Sequence, residues 1–267
     1  MVADLKGVRI YYREYGQGNR AVFLFHGWAM TGDSWRRLAE RFPVDQWRLI
    51  MPDLRGFGES AKPSAGYHIN DYMRDALRLM RALGIRRVDV IGHSFGGTGA
   101  LYLALRLPHL VRHLVLLSTI PGAQSPTIDP RIRQQFERIV GLVQRAQGPA
   151  LATLLTRLWR QSFVVPPDPE DLNQQLLANR NADRHAILQT LHTILTTDIS
   201  HFLPRLRVPT LLIRGEDDPL LRHSPDGLEH LARTTRILIP HVGHYPHLEN
   251  PDAVWHHLST FLGVETP

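Results

Sequence analysis

The chain has 267 residues, 43% of them hydrophobic and 21% charged, a mixture that excludes disordered and fibrous architectures. No apolar run approaches the roughly 20 residues needed to span a bilayer, which excludes a membrane-crossing helix. The net charge is +6 and 29 of the 31 basic residues are arginine, but they are scattered along the chain and not gathered in an arm or patch, which argues against a nucleic-acid partner.

The first residues lack the cationic and apolar segments of a secretory signal, and the chain has no cysteine. Together these predict a cytoplasmic protein without disulfides, thiolate chemistry or cysteine-bound metal.

In chain order, residues 8–12 alternate like a strand, and Gly16-Gln17-Gly18 reads as a hairpin turn. Residues 21–25 form a short continuous apolar run, as expected of a strand buried on both faces. A helix over 34–42 with Ser34 as its cap, a strand over 48–51, a helix over 71–83 stopped by Gly84, a strand over 88–91, a helix over 96–107 and a strand over 113–117 follow. The alternation resumes with strands at 210–213 and 236–239 and helices at 225–232 and 251–262. Alternating strand and helix imply a mostly parallel, doubly wound α/β sheet with helices on both faces.

Between these halves the pattern changes. Residues 121–206 carry no strand signal, only amphipathic stretches marked by Ile132/Phe136/Val143, Leu151/Leu155, Leu172/Leu176 and Ile187/Leu191. The expected organisation is an α/β core of residues 1–120 and 207–267, with 121–206 inserted as a helical cap.

The strongest chemical signal is Gly92-His93-Ser94-Phe95-Gly96, directly after one predicted strand and directly before a helix. In this setting G-x-S-x-G is a tight turn that presents a serine hydroxyl above the sheet, with glycines where a side chain would clash. Ser94 is therefore the candidate nucleophile, and it needs a base oriented by a carboxylate. Two later turns leave the sheet at the same edge. One holds Glu216, Asp217 and Asp218; the other holds His241 and His244. His241, His244 and His247 also space like a metal cluster, but on an irregular turn they would point different ways, so no metal site is expected.

With these residues in place, the chain resembles the α/β-hydrolase fold superfamily, in its cap-bearing branch of serine esterases, lactonases and perhydrolases. The resemblance rests on His26-Gly27-Trp28, on the run from Asp53 through Arg55-Gly56-Phe57-Gly58 to Ser60, on the serine elbow, and on Gly243-His244. It implies a catalytic triad of Ser94, Asp218 and His244, with Asp218 chosen over Asp217 by its distance from Gly215. It further implies an oxyanion hole made by the backbone amides of Trp28 and Phe95, and no cofactor. His26 is expected to be structural, and Asp53 and Arg55 to form an internal ion pair that organises their loop. Perhydrolase-like members commonly have proline where this chain has Ala29, and the epoxide-hydrolase and dehalogenase branches use aspartate where it has Ser94.

Trp28, Met30, Ile120, Trp159, Phe163, Leu191 and Leu195 are the candidate substrate contacts, an apolar lining suited to uncharged acyl groups. The expected partner is a small-molecule ester or lactone. The alternatives are lactonase or perhydrolase chemistry on the same triad, or a slow-turnover ligand receptor.

Overall fold

The structure is a computed structural model that describes residues 1–221, 226–228 and 231–264. Its strands are β1 (Val2–Asp4), β2 (Arg9–Tyr15), β3 (Arg20–Phe25), β4 (Trp47–Pro52), β5 (Val88–His93), β6 (Val111–Leu117), β7 (Thr210–Gly215) and β8 (Thr234–Ile239). They form one sheet in the order β1-β2-β4-β3-β5-β6-β7-β8. The first two pairings are antiparallel, and from β4 to β8 every pairing is parallel.

The apolar runs are continuous because both faces of the sheet are covered. Along β3, Ala21, Phe23 and Phe25 enter one core while Val22 and Leu24 enter the other. The first core is completed by α2 (Ile69–Ala82) and α3 (Ser94–Arg106), through residues such as Tyr72, Leu79 and Leu101. The second is completed by α1 (Arg36–Ala39) and α9 (Pro251–Leu262), through Leu38, Val254 and Leu258. This is the doubly wound architecture that the alternation predicts.

Residues 121–206 hold α4 (Pro130–Arg145), α5 (Pro149–Arg160), α6 (Pro169–Arg180) and α7 (Arg184–Thr196), and no strand. Three prolines within this stretch have a local reason. Pro130, Pro149 and Pro169 each occupy the first helical turn, where a missing N–H costs nothing, and Asp129 and Asp168 cap two of these helices by accepting the Arg131 and Glu170 amides.

Three expectations need correction. Gly16-Gln17-Gly18 is not a hairpin turn: β4 lies between β2 and β3, and the segment instead crosses the chain leading into β4, with the Gln17 amide donating to the Val44 carbonyl at 2.7 Å. The helix expected over 34–42 is a 3₁₀ turn, Gly32–Trp35, running into the single turn of α1, and the Ser34 hydroxyl donates back to the Thr31 carbonyl without capping. Asp53 and Arg55 do not pair with each other. Asp53, just past β4, faces Arg13 on β2, while Arg55 turns to α2 and grips Asp75 with two bonds of 2.6 Å. The helix expected at 225–232 falls partly outside the described residues. A further short helix, α8 (Pro246–Glu249), precedes α9. Among the described residues no helix is long and apolar enough to cross a membrane.

Candidate active site

Ser94 sits where β5 turns into α3, with φ at +50°, a left-handed conformation that a non-glycine residue adopts only when its surroundings enforce it. The surroundings are very close. A Cβ on Gly92 would lie 2.6 Å from the Gly97 Cα, and one on Gly96 would lie 2.3 Å from the His26 carbonyl oxygen. A third glycine is equally constrained: a Cβ on Gly97 would fall 1.9 Å from Thr119 Oγ1.

The other members arrive on the turns after β7 and β8. His244 Nε2 lies 3.0 Å from Ser94 Oγ, and His244 Nδ1 lies 2.8 Å from Asp218 Oδ2. An ionised carboxylate only accepts, so Nδ1 carries the hydrogen and Nε2 is left to accept from the serine hydroxyl. Asp218 is fully buried and also accepts the Leu220 amide at 2.9 Å. Burial alone would raise its pKa, but the charge and hydrogen bond of His244, with the Leu220 amide, outweigh it and hold the carboxyl below its ordinary value. Asp217 faces outward towards the exposed His241, 4.0 Å away, so the structure brings Asp218 and not its neighbour to the histidine. His241 and the fully buried His247 do not converge with His244 on a common point.

Trp28 and Phe95 both border the cavity that contains Ser94. Phe95 is in the first turn of α3, so its amide has no helical acceptor. The Trp28 amide, on the turn after β3, is likewise uncommitted among the described residues. The Trp28 indole donates to Thr190 Oγ1 on α7 at 3.0 Å, fixing that turn from above. His26 bridges its own turn to the next strand end, with Nδ1 on the Gly27 carbonyl and Nε2 accepting the Leu54 amide, both at 2.8 Å. Those bonds make it structural, as expected.

The cavity measures about 150 Å³. Trp28, Ile120 and Trp159 line it as anticipated; Met30, Phe163, Leu191 and Leu195 do not. Met30 is buried with Trp159, Tyr245 and Leu248, and Phe163 packs against Trp159 and Tyr245, so these two brace the wall from behind. Leu191 and Leu195 point into the main core; the face of α7 that reaches the cavity presents Ile194 and Thr197, the latter just past its end. Phe136 and Ile139 from α4, Leu155 and Leu158 from α5, and Tyr245 add to the apolar surface.

α6 reaches the cavity through Gln175 alone, and its buried face is polar in an unexpected way. Leu172 and Leu176 suggested an inward apolar face on α6, yet the buried residues of that helix are Asp171, Gln175 and Asn179. Gln175 donates to the Ala29 carbonyl at 2.7 Å and to Asn179 Oδ1 at 2.9 Å, and Asn179 donates to Thr156 Oγ1 on α5 at 3.0 Å. Asp171 lies 3.4 Å from Arg37, beside the 2.9 Å pair of Arg36 with Glu170. Spacing at i, i+4 and i+8 was the available signal, but polar residues on such a stripe ordinarily read as a solvent face.

Three histidines are sealed around the site. Burial pushes His26 down to about 4 and His247 down to about 3, and lowers His93 well below its ordinary value. An unfolded chain protonates these groups below about pH 6.5, while the native protein resists until far lower pH. Their contribution is therefore complete above about pH 6.5 and is lost as pH falls, at up to about 1.4 kcal/mol per pH unit for each histidine. The denaturation midpoint should drop between pH 6.5 and 5, above the carboxylate range, and His247→Leu should flatten that slope. A midpoint that is level across this window would contradict the neutral, sealed state.

The model of the alpha/beta hydrolase fold family matches residues 20–251, and the chain belongs to that family. Among curated proteins it is 28% identical to a non-heme chloroperoxidase of Streptomyces lividans, over 94% of this chain and 96% of that protein. It is 38% identical to a soluble epoxide hydrolase of Corynebacterium sp. (strain C12) over 120 residues, which cover 45% of this chain and 41% of the relative. Among solved structures, the enol-lactonase of Burkholderia xenovorans LB400 superposes with a TM-score of 0.85 at 23% identity, covering 98% of this chain and all of the other.

Proposed function

We propose that this alpha/beta hydrolase is a serine carboxylic-ester hydrolase for uncharged, apolar acyl groups of small to medium size, open-chain or closed as lactones. The observation that carries the reading is the unbroken relay from Asp218 through His244 to Ser94, opening into a cavity that no Arg, Lys, Asp or Glu lines among the described residues. In a chain with 31 basic residues, a wall on which none of the described residues is Arg or Lys disfavours carboxylate or phosphate on the acyl group.

Ser94 Oγ attacks the ester carbonyl carbon as His244 Nε2 takes its proton, and Asp218 stabilises the imidazolium that results. The negative charge moves to the carbonyl oxygen, where the Trp28 and Phe95 amides donate to it, each such donor being worth about 3 kcal/mol. The bond to the leaving oxygen then breaks and Nε2 returns the proton to the alcohol. Water enters, gives a proton to His244 and attacks the acyl carbon; Ser94 Oγ leaves and is reprotonated. No step draws on a cofactor. Serine at the elbow, whose attack on an ester carbonyl leaves an acyl group on its oxygen, supports an acyl-enzyme.

Residues 121–206 act in this reading as a cap that sets acyl length. Support comes from the side chains of α4, α5 and α7 that wall the cavity above Ser94. Specificity constants for 4-nitrophenyl esters of graded chain length test both ideas. Steady turnover that favours neutral acyl chains is expected; a single burst followed by silence would instead favour a receptor. Trp159→Leu should shift the length preference by roughly 1–3 kcal/mol, whereas Leu191→Val, away from the cavity, should leave it unchanged.

A further inference from the structure

His244 lies on a turn between β8 and α8, and a turn has no ladder of its own to hold it. What holds this one is a carboxylate. Glu249, at the end of α8, accepts four backbone amides: Gly243 at 3.0 Å, Tyr245 at 3.1 Å, Val164 at 2.8 Å and Val165 at 3.0 Å. The first two flank His244 in sequence. The other two belong to the segment that follows α5, and the His244 amide itself donates to the Ser162 carbonyl in that same segment at 2.9 Å. The fit is close, since a Cβ on Gly243 would lie 2.6 Å from the Ser162 oxygen and 2.9 Å from Glu249 Oε1.

We infer that Glu249 is a positioning residue for the base: its carboxylate staples the His244 turn to the segment after α5 and thereby sets the imidazole against Ser94 and Asp218. The inference rests on the ester-hydrolase reading given above. Among the described residues the Glu249 carboxylate bonds only to backbone amides, two of them on either side of His244, and acts through that backbone. The chemistry calls for a carboxylate. Four N–H groups converge on two oxygens, an ionised acceptor makes the stronger bonds, and an amide in its place turns one oxygen into a donor facing donors. Without the staple the four amides lose their acceptor, and the turn is free to settle by fractions of an ångström. A misplacement of about 1 Å is enough to cost about 100-fold in rate.

The test measures acylation of Ser94 by a neutral 4-nitrophenyl ester in rapid mixing, with each rate normalised to the sites titrated by a fluorophosphonate. Normalisation removes any loss that comes only from unfolded enzyme. Glu249→Gln and Glu249→Ala should lower the acylation rate constant about 10- to 100-fold, while ester affinity moves less than about three-fold. Equal rate constants in wild type and both variants would overturn the inference and leave the ester-hydrolase reading standing. So would a loss confined to ester affinity, which would make Glu249 a support of the pocket wall alone. Wild-type Ser94 that neither acylates nor titrates would overturn both. Amide exchange in the wild type needs no variant: Gly243, Tyr245, Val164 and Val165 should be protected although they lie outside helices and strands, and exchange at open-loop rates would overturn the staple.

Discussion

Ser94→Ala should abolish ester turnover, with kcat lower by about 10⁶, the scale at which a triad loses its nucleophile. The hydroxyl is a half-buried group at the cavity floor whose bond is to His244, so its removal opens no cavity in either core. The melting temperature should therefore change little, and the left-handed backbone at this position, no harder for alanine than for serine, should keep its shape. Residual acceleration over the uncatalysed reaction would remain from the Trp28 and Phe95 amides. Activity above about a hundredth of wild type would be incompatible with attack by Ser94.

Asp218→Asn should reduce turnover by about 10⁴-fold, because an amide nitrogen facing His244 Nδ1 forces the other imidazole tautomer and turns Nε2 from acceptor to donor. Asp217→Asn should cost little, since that carboxylate faces outward beside the exposed His241. Assaying the two variants side by side makes the comparison internal. A deficit in the second that matched or exceeded the first would move the acid to Asp217. Asp218→Asn also removes a fully buried charge that accepts from His244 and from the Leu220 amide, so stability in the two variants should be followed as well.

Much of the fold could be read from the residues because the central strands are buried on both sides. Apolar runs such as residues 21–25 and 210–213 declare themselves without reference to the rest of the chain. Strand order does not. Nothing local to Gly16-Gln17-Gly18 reveals that β4 will enter between β2 and β3, so the turn took the hairpin reading. The serine elbow was legible through steric demand on Gly92 and Gly96, and the acidic and histidine turns through their places after strands at the same sheet edge; choosing Asp218 and His244 within those turns took the family resemblance. Cavity contacts fared worse, since one step along α7, from Leu195 to Ile194, is enough to move from the core to the cavity. Glu249 carries no signal in the sequence for a different reason: its partners are backbone amides, which have no residue signature, and two of them lie more than 80 positions away.

The polar stripe of α6 makes that helix keyed. A helix seated on leucines can rotate or slide by a fraction of a turn and find other carbon to touch. If α6 turned by one residue, Gln175, Asn179 and Asp171 would leave the Ala29 carbonyl, Thr156 and Arg37 together, and each group still buried would forfeit about 1–3 kcal/mol. Only one seating satisfies all three. Since the Ala29 carbonyl belongs to the turn that carries Trp28, that seating also indexes the wall of the pocket to its floor, so the two cannot drift independently.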